Sequence, residues 1–451
     1  MQTMNKDIIS KLTPARLIVV YYFLAVTVST ALLKLPIALK PGVDLSLMDA
    51  IFVAASAVSV TGLTTVNISE TFSVTGNFIL MFVLQVGGIG IMTLGTFMWL
   101  IFRRKIGFKE RRLIMQDQNL YSFSGLVILL RQVLIIIITI EAIGAIILGL
   151  YLLRYFPNPS DAFLHGLFMS ISATTNGGFD ITGASLMPYA KDYFVQFINI
   201  ILIIMGAIGF PVLVEVKNFL SHKPGQKKFH FSLFAKLTSV TFFVLIIVGT
   251  IVIILLEYKA FFAGKSWHEG FFYAFFQSVS TRSGGLSTVD VSQFTEPTLL
   301  VMSGLMFIGA SPSSVGGGIR TTTFVLNCLF VYHFARGNTR IKIFKRELHE
   351  QDIRKAVTVT LMACFITCTA VITLSISESF TLTQIIFEVC SAFGTTGLSM
   401  GITPDLSTFG KCVIILLMFI GRVGIVTFLF MIGGKEKKVN YRYPEERIII
   451  G

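Results

Sequence analysis

Charge is scarce in this chain. Of its 451 residues only 14% are Asp, Glu, Lys or Arg, against 54% hydrophobic, and the mean hydropathy is +0.78. A soluble chain of this length would divide into domains with polar surfaces, so the scarcity excludes that reading and makes lipid the solvent of the fold. Cysteine patterning is absent too. Cys328, Cys364, Cys368, Cys390 and Cys412 lie in or beside apolar segments, with no CxxC pair and no histidine at metal spacing, and read as small buried apolar residues. His165, His268 and His333 are dispersed, and no Ser/His/Asp or HExxH arrangement occurs, which leaves an intramembrane enzyme without a visible catalytic set. GGIGIMTLG at 87–95 has the glycines of a dinucleotide fingerprint but sits in an apolar helix with no strand before it, so no nucleotide is expected on this chain. No small-residue cleavage site follows the first apolar run, which is expected to stay in the protein.

What the chain has in abundance is long apolar runs. Eight of them can cross a hydrocarbon core that needs about 20 helical residues: 17–33, 78–102, 133–155, 194–214, 237–256, 298–334 with an interruption, 357–376 and 413–432. The net charge of +13 gathers in short clusters after every even-numbered run, at 103–112, 217–228, 336–346 and 435–438. Clusters between apolar runs, without a basic amphipathic face, argue against nucleic acid and for the positive-inside rule, which places both termini in the cytoplasm.

Between each odd run and the next even one lies a shorter apolar segment that ends in a glycine motif: SVTGL at 59–63, TNGGF at 175–179, RSGGL at 282–286 and GTTGL at 394–398. Gly62, Gly178, Gly285 and Gly397 share one register, and a second motif repeats with them as GGIG at 87–90, GAIG at 206–209, GASP at 309–312 and GRVG at 421–424. Two motifs with one period define four tandem units. Each has two crossings, so all four enter the membrane in the same sense and can surround one axis. The expected fold is all-α and integral to the membrane, with four helix–pore loop–helix repeats at 1–110, 111–228, 229–345 and 346–434 around a pseudo-fourfold pore, then a tail at 435–451. The short segments read as re-entrant helices capped near Ser46, Ser160, Ser266 and Thr381, with their negative dipole ends aimed at the axis. A cation leaving water needs its hydration oxygens replaced, and backbone carbonyls do this without a buried carboxylate, on a strand that glycine permits. The candidate ion-filter residues are therefore Val60, Thr61 and Gly62; Asn176, Gly177 and Gly178; Ser283, Gly284 and Gly285; and Thr395, Thr396 and Gly397. Taken singly, each glycine is equally a tight turn.

The sixth run is interrupted by Gly309, Ala310, Ser311, Pro312, Ser313, Ser314, Val315, Gly316, Gly317 and Gly318, which cannot continue a helix. Unwound backbone at this depth survives only where it lines a cavity or is buried in protein, so a functional loop is expected. Arg422, midway along the last run, must face the pore or a buried partner, since facing lipid costs at least about 3 kcal/mol. Glu141 is the other charge within the runs and reads as a structural partner for a buried donor.

These repeats and motifs resemble the potassium transporter superfamily of bacterial Trk and Ktr membrane subunits and plant HKT proteins. Among these the Ktr type is favoured, because the chain starts directly with the first repeat, without the two extra N-terminal helices of Trk subunits, and ends soon after the last run. The resemblance implies K+ as the transported ion bound at the filter residues, with Na+ as a candidate activator, in a multi-pass protein of the bacterial plasma membrane. It implies a homodimer and a cytosolic ring of RCK-type regulatory subunits that bind ATP or ADP, and it makes the basic loops docking surfaces as well as topology signals. It makes the 309–318 loop an obstruction below the filter and Arg422 an electrostatic barrier there. A sodium-coupled secondary transporter is the alternative from another class.

Overall fold

The computed structural model describes residues 14–90, 126–222, 229–338 and 340–433, with 444 and 446. Its helices fall into four similar sets. The first holds α1 (Pro14–Leu33), α2 (Leu47–Ser59) and α3 (Val74–Ile89); the second α4 (Leu126–Leu152), α5 (Pro159–Thr174), α6 (Tyr193–Ala207) and α7 (Phe210–Leu220). The third holds α8 (Leu233–Glu257), α9 (Trp267–Ser280), α10 (Glu296–Ile308) and α11 (Thr321–Ala335); the fourth α12 (Glu350–Ser377), α13 (Leu382–Phe393), α14 (Thr408–Val423) and α15 (Ile425–Gly433). The long helices α1, α4, α8 and α12 each contain an unbroken stretch long and apolar enough to cross a membrane. They are apolar on their outer faces as well: Phe23, Ile247 and Phe365 are exposed, as side chains of a lipid-facing helix are.

The short helices α2, α5, α9 and α13 begin at polar caps. The Ser46 hydroxyl accepts from the Asp49 amide at 3.1 Å, and Ser266 with Glu269, and Thr381 with Gln384, form capping boxes. In the second repeat the cap is Asn158 rather than Ser160, because Pro159 fixes the first helical turn one residue earlier and takes Ser160 into the helix.

Each long helix packs on the short helix of its own set, and each second helix packs on the short helix of the next: α3 on α5, α6 on α9, α10 on α13 and α14 on α2. The last of these closes the circle, so the four sets surround one axis.

The structure corrects several expectations. The run at 194–214 is not one straight span, because α6 and α7 meet at 105°. The run at 413–432 likewise breaks at Gly424, and α3 ends at Gly90, so the interruption expected only in the sixth run occurs at the second motif of every repeat. The remainder of the second run, with the basic clusters at 103–112 and 435–438 and nearly all of the tail, lies outside the described residues. Cys328, Cys364, Cys368 and Cys412 are exposed rather than buried, and Cys390 is half-buried. Within the basic loop at 336–346, Lys342–Ile343 pairs with Arg346–Glu347, with Phe344 and Lys345 both left-handed as a two-residue hairpin requires. Glu141 behaves as expected, buried and accepting from the Gln85 amide, a bond that ties the first repeat to the second.

An ion pair lies on the closing seam. Lys411 of α14 meets Asp49 of α2 at 3.0 Å, both largely buried. Asp49 sits in the first turn of a helix that does not span the membrane. Its burial works to raise its pKa, but hydrogen bonds from Ser46, Lys411 and Thr65 outweigh that and hold the carboxyl below its ordinary range. A depressed carboxyl contributes stability above its ordinary pKa of about 4 and loses it as pH falls through the lowered value. Lys411→Met is expected to cost about 1 kcal/mol at neutral pH in denaturant unfolding in detergent micelles. The gap to the native chain is expected to narrow below about pH 4, where Asp49 protonates in both proteins.

Candidate functional site

Each short helix runs directly into its glycine segment, and the backbone repeats there almost identically. The first residue of each candidate triplet is left-handed, Val60 at φ 56°, Asn176 at 53°, Ser283 at 68° and Thr395 at 46°. Two residues on, Gly62, Gly178, Gly285 and Gly397 are left-handed again, at 98°, 66°, 70° and 91°. The positive φ of the glycines is what sequence reasoning asked for; that of the preceding residues it missed, since Val60 is β-branched and disfavours that region.

The four segments meet. A Cβ on Gly62 would lie 2.6 Å from the carbonyl oxygen of Gly177, and one on Gly178 would lie 2.9 Å from the Cα of Gly285. One on Gly285 would strike the carbonyl of Thr396, and one on Gly397 the carbonyl of Thr61, so contact passes from repeat one to two, three, four and back to one. All twelve candidate residues lie in this closed ring of backbone. A cavity of 220 Å³ opens on the C-terminal side of the ring glycines, lined by Gly62, Thr64, Gly178 and Asp180 among others.

Serines in the short helices anchor the ring, a signal the sequence carried and reasoning overlooked. The carbonyls of Ser56, Ser172, Ser280 and Ser391 accept from the amides of Thr61, Gly177, Gly284 and Thr396 at 2.6–2.8 Å. The Ser56 and Ser391 hydroxyls also accept from the amides of Gly62 and Gly397, each at 3.1 Å.

On the other side of the ring lies the loop from Gly309 to Gly318, unwound as expected and almost wholly buried. It touches all four repeats. Its Ser311 and Val315 amides donate to Ala207 at 3.1 Å and Gly206 at 3.3 Å, and its Ser313 carbonyl accepts from Phe210 at 2.8 Å, all at the break between α6 and α7. The Gly317 amide donates to the ring residue Ser283 at 3.3 Å, and Val315 packs against Gly88 of α3. Arg422 supplies the fourth link: its guanidinium donates to the carbonyl of Val315 and to those of Gly87 and Gly88, the last at 3.2 Å. The loop and Arg422, read from sequence as two separate obstacles, are one hydrogen-bonded unit.

The loop also has a definable place in the repeat. The breaks after α3, α6 and α14 are made by Gly90, Gly209 and Gly424, at φ 93°, 104° and 86° with ψ 132°, 130° and 144°. In the third repeat that conformation belongs to Arg320, at φ 76° and ψ 143°, and residues 309–319 are the extra length before it. An arginine there is strained. It is held by bonds from its guanidinium to the carbonyls of Gly316 and Ser311.

Arg320, half-buried, and Arg282, buried, are cations that sequence reasoning did not single out. Arg282 is fully buried behind the ring and donates to the carbonyl of Gly309, which the break there frees from helical pairing, and to that of Leu305, which also accepts from the Gly309 amide at 3.3 Å.

An all-α, multi-pass membrane protein with four repeats closed around one axis is the class these elements define. The comparisons place the chain within it. Residues 3–436 match the family described as TrkH, cation transport protein. The chain is 60% identical over 444 residues to the Ktr system potassium uptake protein D of Bacillus subtilis, covering 98% of both. It is 36% identical to the Ktr system potassium uptake protein B of the same organism and 32% identical to the potassium/sodium uptake protein NtpJ of Enterococcus hirae, each covering 100% of both chains. The crystal structure of the potassium transporter TrkH from Vibrio parahaemolyticus shares the fold, with a TM-score of 0.73 at 20% identity over 93% of this chain and 85% of that one. The chain belongs to the TrkH family of cation transport proteins.

Replacing Arg282 by methionine keeps the bulk but strands the buried Gly309 carbonyl, at about 1–3 kcal/mol. Arg282→Met is expected to lower unfolding stability by about 1–3 kcal/mol and to reduce the yield of monodisperse protein on size exclusion.

Proposed function

We propose that this chain is the potassium-translocating membrane subunit of a Ktr-type uptake system, with the ring as its selectivity filter. The observation that carries the reading is the closure of four left-handed glycine segments on one another in cyclic order. Such a ring offers backbone carbonyls to a dehydrating cation and no fixed carboxylate. The four short helices end at it, adding their negative dipole ends. The names of the relatives, which specify potassium uptake and in one case potassium with sodium, support K+ as the substrate and Na+ as a candidate activator.

The 309–318 loop with Arg422 then acts as the gate. A buried plug in contact with every repeat blocks passage sterically, and Arg422 adds a fixed positive charge worth about 3 kcal/mol against a cation at roughly 5 Å and an effective dielectric of about 20. In this reading the termini and basic clusters are cytoplasmic. The chain works as a homodimer, and a cytosolic ring of nucleotide-binding RCK-type subunits docks on the basic loops to move the plug.

The decisive test is growth of a potassium-uptake-deficient bacterium at low external potassium, with and without a co-expressed regulatory subunit. Rescue is expected, and its absence in both settings counts against the function. Gly62→Ser, or the same change at Gly178, Gly285 or Gly397, is expected to lower the preference for K+ over Na+ in proteoliposome flux, because any Cβ meets the neighbouring repeat's backbone. Deleting 310–318 is expected to raise flux and loosen its dependence on the regulatory subunit. Arg422→Gln, which removes both charge and latch, is expected to approach that deletion, and Arg422→Lys, which keeps the charge but cannot span Val315 and Gly87, to fall between. A deletion that leaves flux low in inserted, folded protein would return the loop to the role of a packing kink.

A further inference from the structure

Behind the ring, the four repeats differ in one internal position. Counting back three residues, about one helical turn, from the anchoring serines Ser56, Ser172, Ser280 and Ser391 gives Val53, Met169, Gln277 and Glu388. All four lie in the short helices, and Gln277 and Glu388 are fully buried. Their polar ends reach the same place. The Gln277 amide donates to the Ser287 hydroxyl at 2.6 Å, and the Glu388 carboxylate accepts from the Ser399 hydroxyl at 2.8 Å. Ser287 and Ser399 each lie two residues beyond their ring glycine. Glu388 also accepts from the Thr403 hydroxyl, whose oxygen lies 3.0 Å from that of Ser399, so one carboxylate gathers the chain leaving the fourth ring segment. In the second repeat the corresponding residue, Asp180, is instead tied to its own loop, accepting from the amides of Thr182 at 3.0 Å and Gly183 at 2.8 Å.

We infer that Glu388 and Gln277 are positioning residues for ion selection, bracing the exit of the fourth and third ring segments from behind, while the first two repeats present apolar side chains there. The inference rests on reading the ring as a filter. Taking a carboxylate or amide fully out of solvent is unfavourable unless it is hydrogen-bonded, and here the bonds go to the strand that leaves the ring rather than to the helix that carries the residue. Two hydroxyl donors converging on Glu388 fix where that strand turns, and so where the Thr396 and Gly397 carbonyls lie relative to their neighbours. The brace depends on hydrogen bonding rather than charge, since the third repeat achieves it with an amide. It also makes the ring unequal: all four segments are anchored by the serines, but only the third and fourth are tied in addition through a buried polar side chain one helical turn further back.

The test uses the full-length protein in proteoliposomes and compares K+ and Na+ flux. Glu388→Met, which installs the residue of the second repeat, is expected to lower the K+/Na+ flux ratio by about tenfold, equivalent to 1.4 kcal/mol, with K+ flux itself much less changed. Glu388→Gln, which can still meet both hydroxyls, is expected to keep the ratio near that of the native chain. Removing the partners instead, with Ser399→Ala and Thr403→Val together, is expected to match Glu388→Met and decides the matter if that variant does not fold. Gly397→Ser is measured alongside. A native ratio in a folded Glu388→Met or hydroxyl-deleted protein, where Gly397→Ser loses selectivity, overturns the brace and leaves the filter standing. A native ratio in Gly397→Ser as well removes the filter reading, and the brace with it. Loss of the ratio in Glu388→Gln would also overturn the proposal, by assigning the effect to charge.

Discussion

The structure depends on the contact between each ring glycine and the backbone of the next repeat. Non-helical backbone inside a membrane survives only where it is buried in protein or lines a cavity. Here each segment packs against the backbone of its neighbour, and serine carbonyls of the short helices accept from its amides. The absence of a side chain at four positions allows the backbones this close. Bulk at any one would push on two repeats at once, because the ring has no free end.

The same rule explains the breaks in the second helices. Gly87, Gly206 and Gly421 press against the carbonyl ends of the short helices of their own repeats, where a Cβ would strike Val58, Thr174 and Phe393. A few residues on, a second glycine turns the chain in three repeats, and in the third Arg320 does so after the extra loop 309–319. The loop is therefore not foreign to the repeat. It is the third break lengthened, and its bonds to Gly206, Ser283 and Arg422 reuse surfaces that every repeat presents at this level.

Much of this was legible in the sequence, for reasons that can be named. Four glycines in one register and a second motif sharing their period identify the repeat, because the constraint on them is steric and admits one residue type. The caps at Ser46, Ser266 and Thr381 were legible from local chemistry, whereas Ser160 misled because the proline beside it had already set the turn. The breaks at Gly209 and Gly424 were hidden, since one glycine in an apolar run is also compatible with an unbroken helix; only the cluster in the third repeat exceeded that tolerance. Arg282 and Arg320 were hidden for the opposite reason. Both lie one residue removed from a glycine run, where a cation looks like an ordinary loop residue, and only the fold reveals that they are paired with backbone carbonyls. Gln277 and Glu388 became significant once the serines had fixed the register of the short helices.

The seam between Asp49 and Lys411 joins residues 362 positions apart. A chain inserted from its N-terminus must therefore hold three repeats in the bilayer before the fourth can meet the first. At synthesis rates of about 5–20 residues per second, that interval is roughly 20–70 s. Throughout it the protein is an open arc, with α2 still lacking α14, α10 still lacking α13, and the circle not yet formed. On the proposed reading of the loop as a gate, ion-tightness during biogenesis becomes a matter of sequence order: the loop is made in the third repeat, and Arg422, which bonds to it, arrives with the segment that completes the circle. On that reading the membrane is not offered a closed conduit before the means of shutting it has been synthesised.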